Sequence, residues 1–165
     1  MVKEAMFSSI AIYSDTSFLD LFSGSGAIGI EALSRGAADV VFNDSNAQAV
    51  KIIKANLDKV HEKAKVHELD YRQCLEKEKG HHFDIIFCDP PYAFESYDTI
   101  FSLVGEYDVL AKDGIIILEV RKNTDLKEAY ANMHKYKEKR YGISKLLYYA
   151  YEEISYDQSN LSGNF

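Results

Sequence analysis

The sequence predicts an α/β fold, a mostly parallel sheet with helices on both faces. Three observations carry that reading. Short apolar runs alternate with helical patterns along the chain, the rhythm of strand–helix–strand units. The run Ile115–Leu118 is apolar at every position, as a central strand covered on both sides must be. Acidic residues stand in or just after four of the runs, at Asp20, Asp44, Asp70 and Asp89. That is the rim at which an open parallel sheet binds its ligands.

Taken in order, residues 2–13 read as a helix. Strands follow at 17–22, 39–44, 65–70, 83–89 and 114–120, with helices near 27–35, 45–59, 71–79, 96–106 and 124–131. Residues 136–142 and 145–153 flank the tight link Gly142-Ile143-Ser144 and read as an antiparallel hairpin at the sheet edge. Residues 1–153 therefore form one domain, and 154–165 a polar, frayed C-terminal tail.

The bulk properties bound the function. A chain of 165 residues suits one domain, and a hydrophobic share of 47% argues against disorder. No apolar run approaches the ~20 residues needed to span a bilayer, and no signal-peptide pattern opens the chain. The expectation is a cytoplasmic protein with no membrane partner. Cys74 and Cys88 lack metal-binding spacing and read as buried free thiols in a reducing compartment. The five histidines read as surface or packing residues, and no metal is expected.

The net charge of −7 at first argues against a nucleic-acid partner. The distribution says otherwise. Residues 1–120 hold 11 Lys/Arg against 20 Asp/Glu, whereas residues 121–145 hold 8 against 3. Arg121, Lys122, Lys137, Lys139 and Arg140 belong to that basic stretch and are the candidate RNA-binding residues.

Two motifs carry the chemistry. In DLFSGSGAIGIEAL (20–33), Gly24, Gly26 and Gly29 fit G-x-G-x-x-G, and Asp44 lies about 20 residues on. Such a turn brings backbone N–H groups to an anion, and the acid accepts a ribose diol. An NAD-dependent oxidoreductase fits this much. Asp20 favours another ligand, because a carboxylate just ahead of the turn repels a pyrophosphate but attracts an ammonium and a sulfonium. S-adenosylmethionine carries both. Its carboxylate would take N–H groups of Ser23–Gly26, its ribose Asp44, and its adenine amine Asp70.

The second motif is Cys88-Asp-Pro-Pro-Tyr92, which holds both prolines of the chain. An exocyclic amine on a base is a poor nucleophile because its lone pair is delocalised. Two acceptors aimed at its N–H groups favour a pyramidal nitrogen. Asp89 supplies a carboxylate oxygen. The Pro90 carbonyl supplies the other acceptor, fixed by the restricted φ of Pro90 and Pro91. Tyr92 offers a face on which a flipped base can stack.

These residues together resemble a known family. Asp20-Leu-Phe-Ser-Gly-Ser-Gly26, Ile30-Glu-Ala-Leu-Ser-Arg-Gly36 and Asp89-Pro-Pro-Tyr92 are similar to the RsmD-type guanine-N2 methyltransferases of bacterial small-subunit ribosomal RNA. Val2-Lys-Glu-Ala-Met-Phe7 and Arg140-Tyr-Gly142 agree with the same family, so the likeness spans roughly residues 1–152. DNA adenine methyltransferases share the Asp-Pro-Pro-Tyr box alone, but need a target-recognition region for which this chain leaves little room.

The resemblance implies a Rossmann-like class I methyltransferase fold, with a seven-stranded, mostly parallel sheet and an antiparallel C-terminal strand. It implies S-adenosylmethionine at Asp20, Ser23, Gly24, Ser25, Gly26, Asp44 and Asp70, with Phe22, Asn43, Ser45 and Tyr71 completing that site. Asp89, Pro90, Pro91 and Tyr92 would receive the guanine, and ribosomal RNA or the small subunit would be the partner. Asn43 stands where the family is expected to carry an apolar residue. The family also has a basic segment ahead of the V-K-E helix, ending in Arg where this chain has Met1. The expectation is normal cofactor binding with a weaker hold on RNA, and an inactive cofactor-binding module is the non-enzyme alternative.

Overall fold

The computed structural model describes residues 2–152. Its helices are α1 (Val2–Ser9), α2 (Ala27–Ser34), α3 (Ala47–Lys59), α4 (Tyr71–Lys77) and α5 (Tyr97–Glu106). Its strands are β1 (Ser17–Asp20), β2 (Asp39–Asn43), β3 (Lys65–His67), β4 (Phe83–Cys88), β5 (Leu110–Arg121), β6 (Ala129–Tyr130), β7 (Met133–Tyr141) and β8 (Ser144–Tyr151). They form one sheet in the order β3-β2-β1-β4-β5-β8-β7-β6. The first five are parallel, and β8, β7 and β6 are antiparallel to their neighbours. Residues expected to form the polar tail lie outside the described residues.

Strand alternation divides the core in two. Leu19, Val41, Ile86, Ile116 and Leu118 face α4 and α5, meeting Leu75, Ile100, Phe101 and Val104. Phe18, Val40, Phe42, Ile85 and Ile117 face α1, α2 and α3, meeting Met6, Phe7, Ala32, Ile53 and Leu57. Helices thus cover both faces, and the rim beyond the carboxyl ends of β1, β2, β4 and β5 stays open.

Three elements differ from the expectation. Residues 124–131 form no helix. A turn closes Thr124 N–H on the Arg121 carbonyl, and the two-residue β6 follows, bringing the strands to eight. Tyr130 decides this: its ring stacks on Phe101 at 4.5 Å, and its hydroxyl accepts the Lys127 N–H. A stretch this short has too little helical propensity to resist that packing. β5 begins at Leu110 rather than 114, because a register shift against β4 absorbs the turn-like Ala111–Gly114. α1 ends at Ser9, where the chain turns to let Thr16 Oγ1 accept the Tyr13 N–H. Cys74 and Cys88 are both buried and unpaired, and burial pushes the Cys74 thiol up to about 12.

Candidate active site

The glycine turn after β1 folds as it does because two of its glycines have no substitute. Gly26 sits at φ +83° as the cap of α2, a conformation side chains rarely adopt. A Cβ on Gly29 would fall 2.3 Å from the ring of Phe42, so only glycine lets α2 lie this close to β2. The helix N-terminus is thereby aimed over the strand ends. The N–H groups of Ser25, Ala27 and Ile28 donate to no group among the described residues. Those of Ser23, Gly24 and Gly26 are taken by the Asn43 carbonyl, Asp44 Oδ2 and the Ser23 carbonyl. An anion at this turn therefore meets a donor set shifted toward α2 from the expected Ser23–Gly26. Lys3 lines the same space.

Asp20 corrects the sequence reading. It is 1% exposed and does not line the cavity. Alternation along β1 turns its side chain toward α2, on the same face as Phe18. There Oδ2 accepts the Gly29 N–H at 3.1 Å, and Oδ1 has no partner among the described residues. Burial raises its carboxyl to about 7, and the neighbouring acids Asp89 and Asp44 push the same way. In this structure Asp20 anchors the turn from beneath instead of lining the rim.

Asn43 has an equally internal job. Its Nδ2 donates to the Leu21 and Leu69 carbonyls at 3.2 and 3.0 Å, and its Oδ1 accepts the Leu69 N–H. Its own N–H donates to Ser23 Oγ. One amide side chain thus ties the segments leaving β1 and β3 to the end of β2. An apolar residue here would leave three backbone groups unpaired, which is why the position is polar.

Asp44 is partly exposed in the cavity. Oδ2 accepts Gly24 N–H at 2.9 Å and Oδ1 accepts Asn46 N–H at 3.0 Å, which orients the carboxylate. Each oxygen keeps a lone pair for a ribose hydroxyl. Asp70 caps α4 and is gripped by Arg72, whose Nε lies 2.8 Å from Oδ1, holding its carboxyl below the usual range.

These groups, with Phe22, Ser45, Leu69 and Tyr71, line a cavity of about 790 Å³. One wall is aromatic. Phe22, Tyr71 and Phe94 contact one another with centroids 5.3–5.6 Å apart. Phe94, absent from the sequence reading, follows the proline box and closes that wall. Its N–H is held by the Pro91 carbonyl at 2.9 Å.

A second cavity, of about 500 Å³, lies beside the first. Pro90, Tyr92, Tyr97, Arg121, Asn123 and Ser144 are among its walls. The two share Asp89, Pro91 and Glu119. Asp89 stands at the mouth with no hydrogen-bond partner among the described residues. Its surroundings raise its carboxyl to about 6 through burial. The Pro90 carbonyl likewise has no protein donor. Tyr92 is 81% exposed, and the Arg121 guanidinium covers one face of its ring at 4.3 Å.

The candidate RNA-binding residues do not form one patch. Lys137 and Lys139 pair across the ladder with Tyr148 and Leu146, on the face that carries Glu119 and Arg121. Arg140 pairs with Lys145 and stands on the opposite face, near Glu138. Lys122 is exposed just past β5. His67, His81 and His82 engage Glu78, Asp39 and Asp108, none of which lines either cavity. No cluster of His, Cys, Asp or Glu among the described residues could hold a metal ion, and no described helix is long and apolar enough to cross a membrane.

Known proteins share this architecture. Bacillus subtilis YlbH is 35% identical over 155 residues, 90% of this chain and 83% of its own. Ribosomal RNA small subunit methyltransferase D of Haemophilus influenzae is 34% identical over 76% of this chain and 67% of its own. A solved Streptococcus pyogenes structure, described as a conserved hypothetical protein, superposes with a TM-score of 0.83 at 31% identity, covering 91% of this chain and 95% of that one. The family model "Conserved hypothetical protein 95" matches residues 1–150, and with these relatives it shows that the chain belongs to that family, the RsmD-type methyltransferases.

Proposed function

We propose that this protein transfers a methyl group from S-adenosylmethionine to the exocyclic N2 of a guanine in small-subunit ribosomal RNA. The observation that carries the reading is the pair of cavities meeting at Asp89 and Pro91. The larger has the size and lining for the cofactor: N–H donors of α2 and Lys3 for its carboxylate, Asp44 for its ribose, and Phe22, Tyr71 and Phe94 for its adenine. The smaller, of about 500 Å³, has ample room for a base, with Tyr92 at its edge. Two relatives named as ribosomal RNA small subunit methyltransferase D support the RNA substrate.

At the junction, the target amine would donate to Asp89 and to the Pro90 carbonyl, and its lone pair would point into the cofactor cavity. Bound there, S-adenosylmethionine would supply an electrophilic methyl group, the N–C bond forming as the S–CH3 bond breaks and the electron pair staying on sulfur. The amine's extra proton then leaves to Asp89 or to water, so no strong base is required. Holding the two reactants in line supplies up to ~7–11 kcal/mol of the barrier reduction.

The test uses labelled methyl transfer to undermethylated small subunits, with calorimetry for the cofactor. Wild type should bind S-adenosylmethionine and yield N2-methylguanosine, and Asp89→Ala should lose turnover with cofactor affinity nearly unchanged. Binding of NAD instead, or a methylated base other than guanine, would overturn the reading.

A further inference from the structure

Glu119 is the acid the sequence reading passed over. It lies in β5, in an otherwise apolar run, yet its side chain borders both cavities. Among the described residues, only Asp89 and Pro91 share that position. The register explains it. β4 and β5 run parallel with Cys88 beside Leu118, so Asp89 and Glu119 are the next positions on adjacent strands. Adjacent strands lie about 4.8 Å apart. Glu119 is half-buried and has no hydrogen-bond or ion-pair partner among the described residues. The other charged groups lining the two cavities it borders are Asp89, Asp44, Asp70, Lys3 and Arg121. Burial, with Asp89 adding to it, raises its carboxyl to about 7, as expected of an acid short of donors.

Two acceptors side by side match one base edge. Guanine presents its N2 amine and its N1–H as adjacent donors. Adenine presents a lone pair at N1, which a carboxylate repels. We infer that Glu119 selects the base: its carboxylate accepts the N1–H of the target guanine while Asp89 accepts from the N2 amine. This rests on the guanine-N2 reading above and gives that site its specificity.

The experiment compares guanine with 2-aminopurine at the target position of a reconstituted small-subunit substrate, using wild type and Glu119→Gln. 2-Aminopurine keeps the N2 amine but has a lone pair at N1. Wild type should prefer guanine in kcat/KM. The glutamine amide can donate to the N1 lone pair, so Glu119→Gln should shift that preference toward 2-aminopurine by about 10- to 100-fold, the usual size of such an edge contact. Cofactor affinity, read by calorimetry, should stay within a few-fold. An unchanged preference overturns the inference while leaving the guanine reading intact. A large loss of cofactor affinity in Glu119→Gln also overturns it, since the carboxylate would then serve the cofactor's ammonium. Absence of guanine methylation by wild type defeats the underlying reading instead.

Discussion

Asp20→Asn should make the protein more stable at neutral pH, and the gain should depend on pH in a defined window. Asp20 is 1% exposed, with one oxygen held by the Gly29 N–H and the other unpartnered among the described residues. Its carboxyl is raised from 3.8 to about 7, by burial first and by Asp89 and Asp44 next. Below pH ~4 the group is protonated folded and unfolded alike, so it contributes nothing. Between ~4 and ~7 the folded state holds a proton that the unfolded chain has released, and stability falls as pH rises. Above ~7 the penalty is complete, at most ~4 kcal/mol for this displacement. Asparagine keeps an acceptor for Gly29 and removes the charge. Its own N–H groups need an acceptor, which subtracts a pH-independent ~1–3 kcal/mol. Urea denaturation of both proteins from pH 4 to 8 isolates the first effect, because Asp89 and Glu119 titrate in both. The difference in stability between variant and wild type should rise by up to ~4 kcal/mol across the window and level off above it. A difference that stays constant with pH would refute the reasoning.

Asn43→Ala should cost about 2–4 kcal/mol, since it strands the Leu21 carbonyl and both backbone groups of Leu69, and thermal denaturation should show a midpoint lower by roughly 5–15 °C. Tyr92→Ala should lower kcat/KM about 10- to 100-fold through lost stacking, and Tyr92→Phe should retain most activity because the ring, already covered on one face by Arg121, survives. Equal damage from both Tyr92 variants in the methyl-transfer assay would show that the hydroxyl matters instead.

Much of the fold was legible because the elements announce themselves locally. Gly26 opens α2, Asn46 caps α3 by accepting the N–H groups of Gln48 and Ala49, and Asp70 caps α4. What escaped was set by distant contacts. Nothing near Tyr130 says that Phe101 will stack on it and pull residues 129–130 into the sheet. The Ala111–Gly114 stretch reads as a turn unless the register shift against Phe83–Ile85 is known. Asp20 is a different case, since the signal was present. It lies two residues after Phe18, and period-two alternation sends both to the same buried face.

The strand-end acids look equivalent in the sequence, and the structure separates them by the donors each already has. Asp20 holds one backbone N–H inside the protein. Asp44 holds two at the cavity wall, and Asp70 is occupied by Arg72. Asp89 and Glu119 have none among the described residues, and both are raised, to about 6 and about 7. A carboxylate without protein donors gains most from a ligand that brings N–H groups to it. The methyl group and sulfonium of the cofactor bring none and its ammonium is the competing donor that the Glu119→Gln test separates, whereas the Watson–Crick edge of guanine would bring an amine and a ring N–H side by side. The two acids without donors are also the two that border both cavities. On the function proposed above, the chemistry would belong at the ends of β4 and β5, and the acids of β1, β2 and β3 would shape and hold the cofactor's side of the cleft.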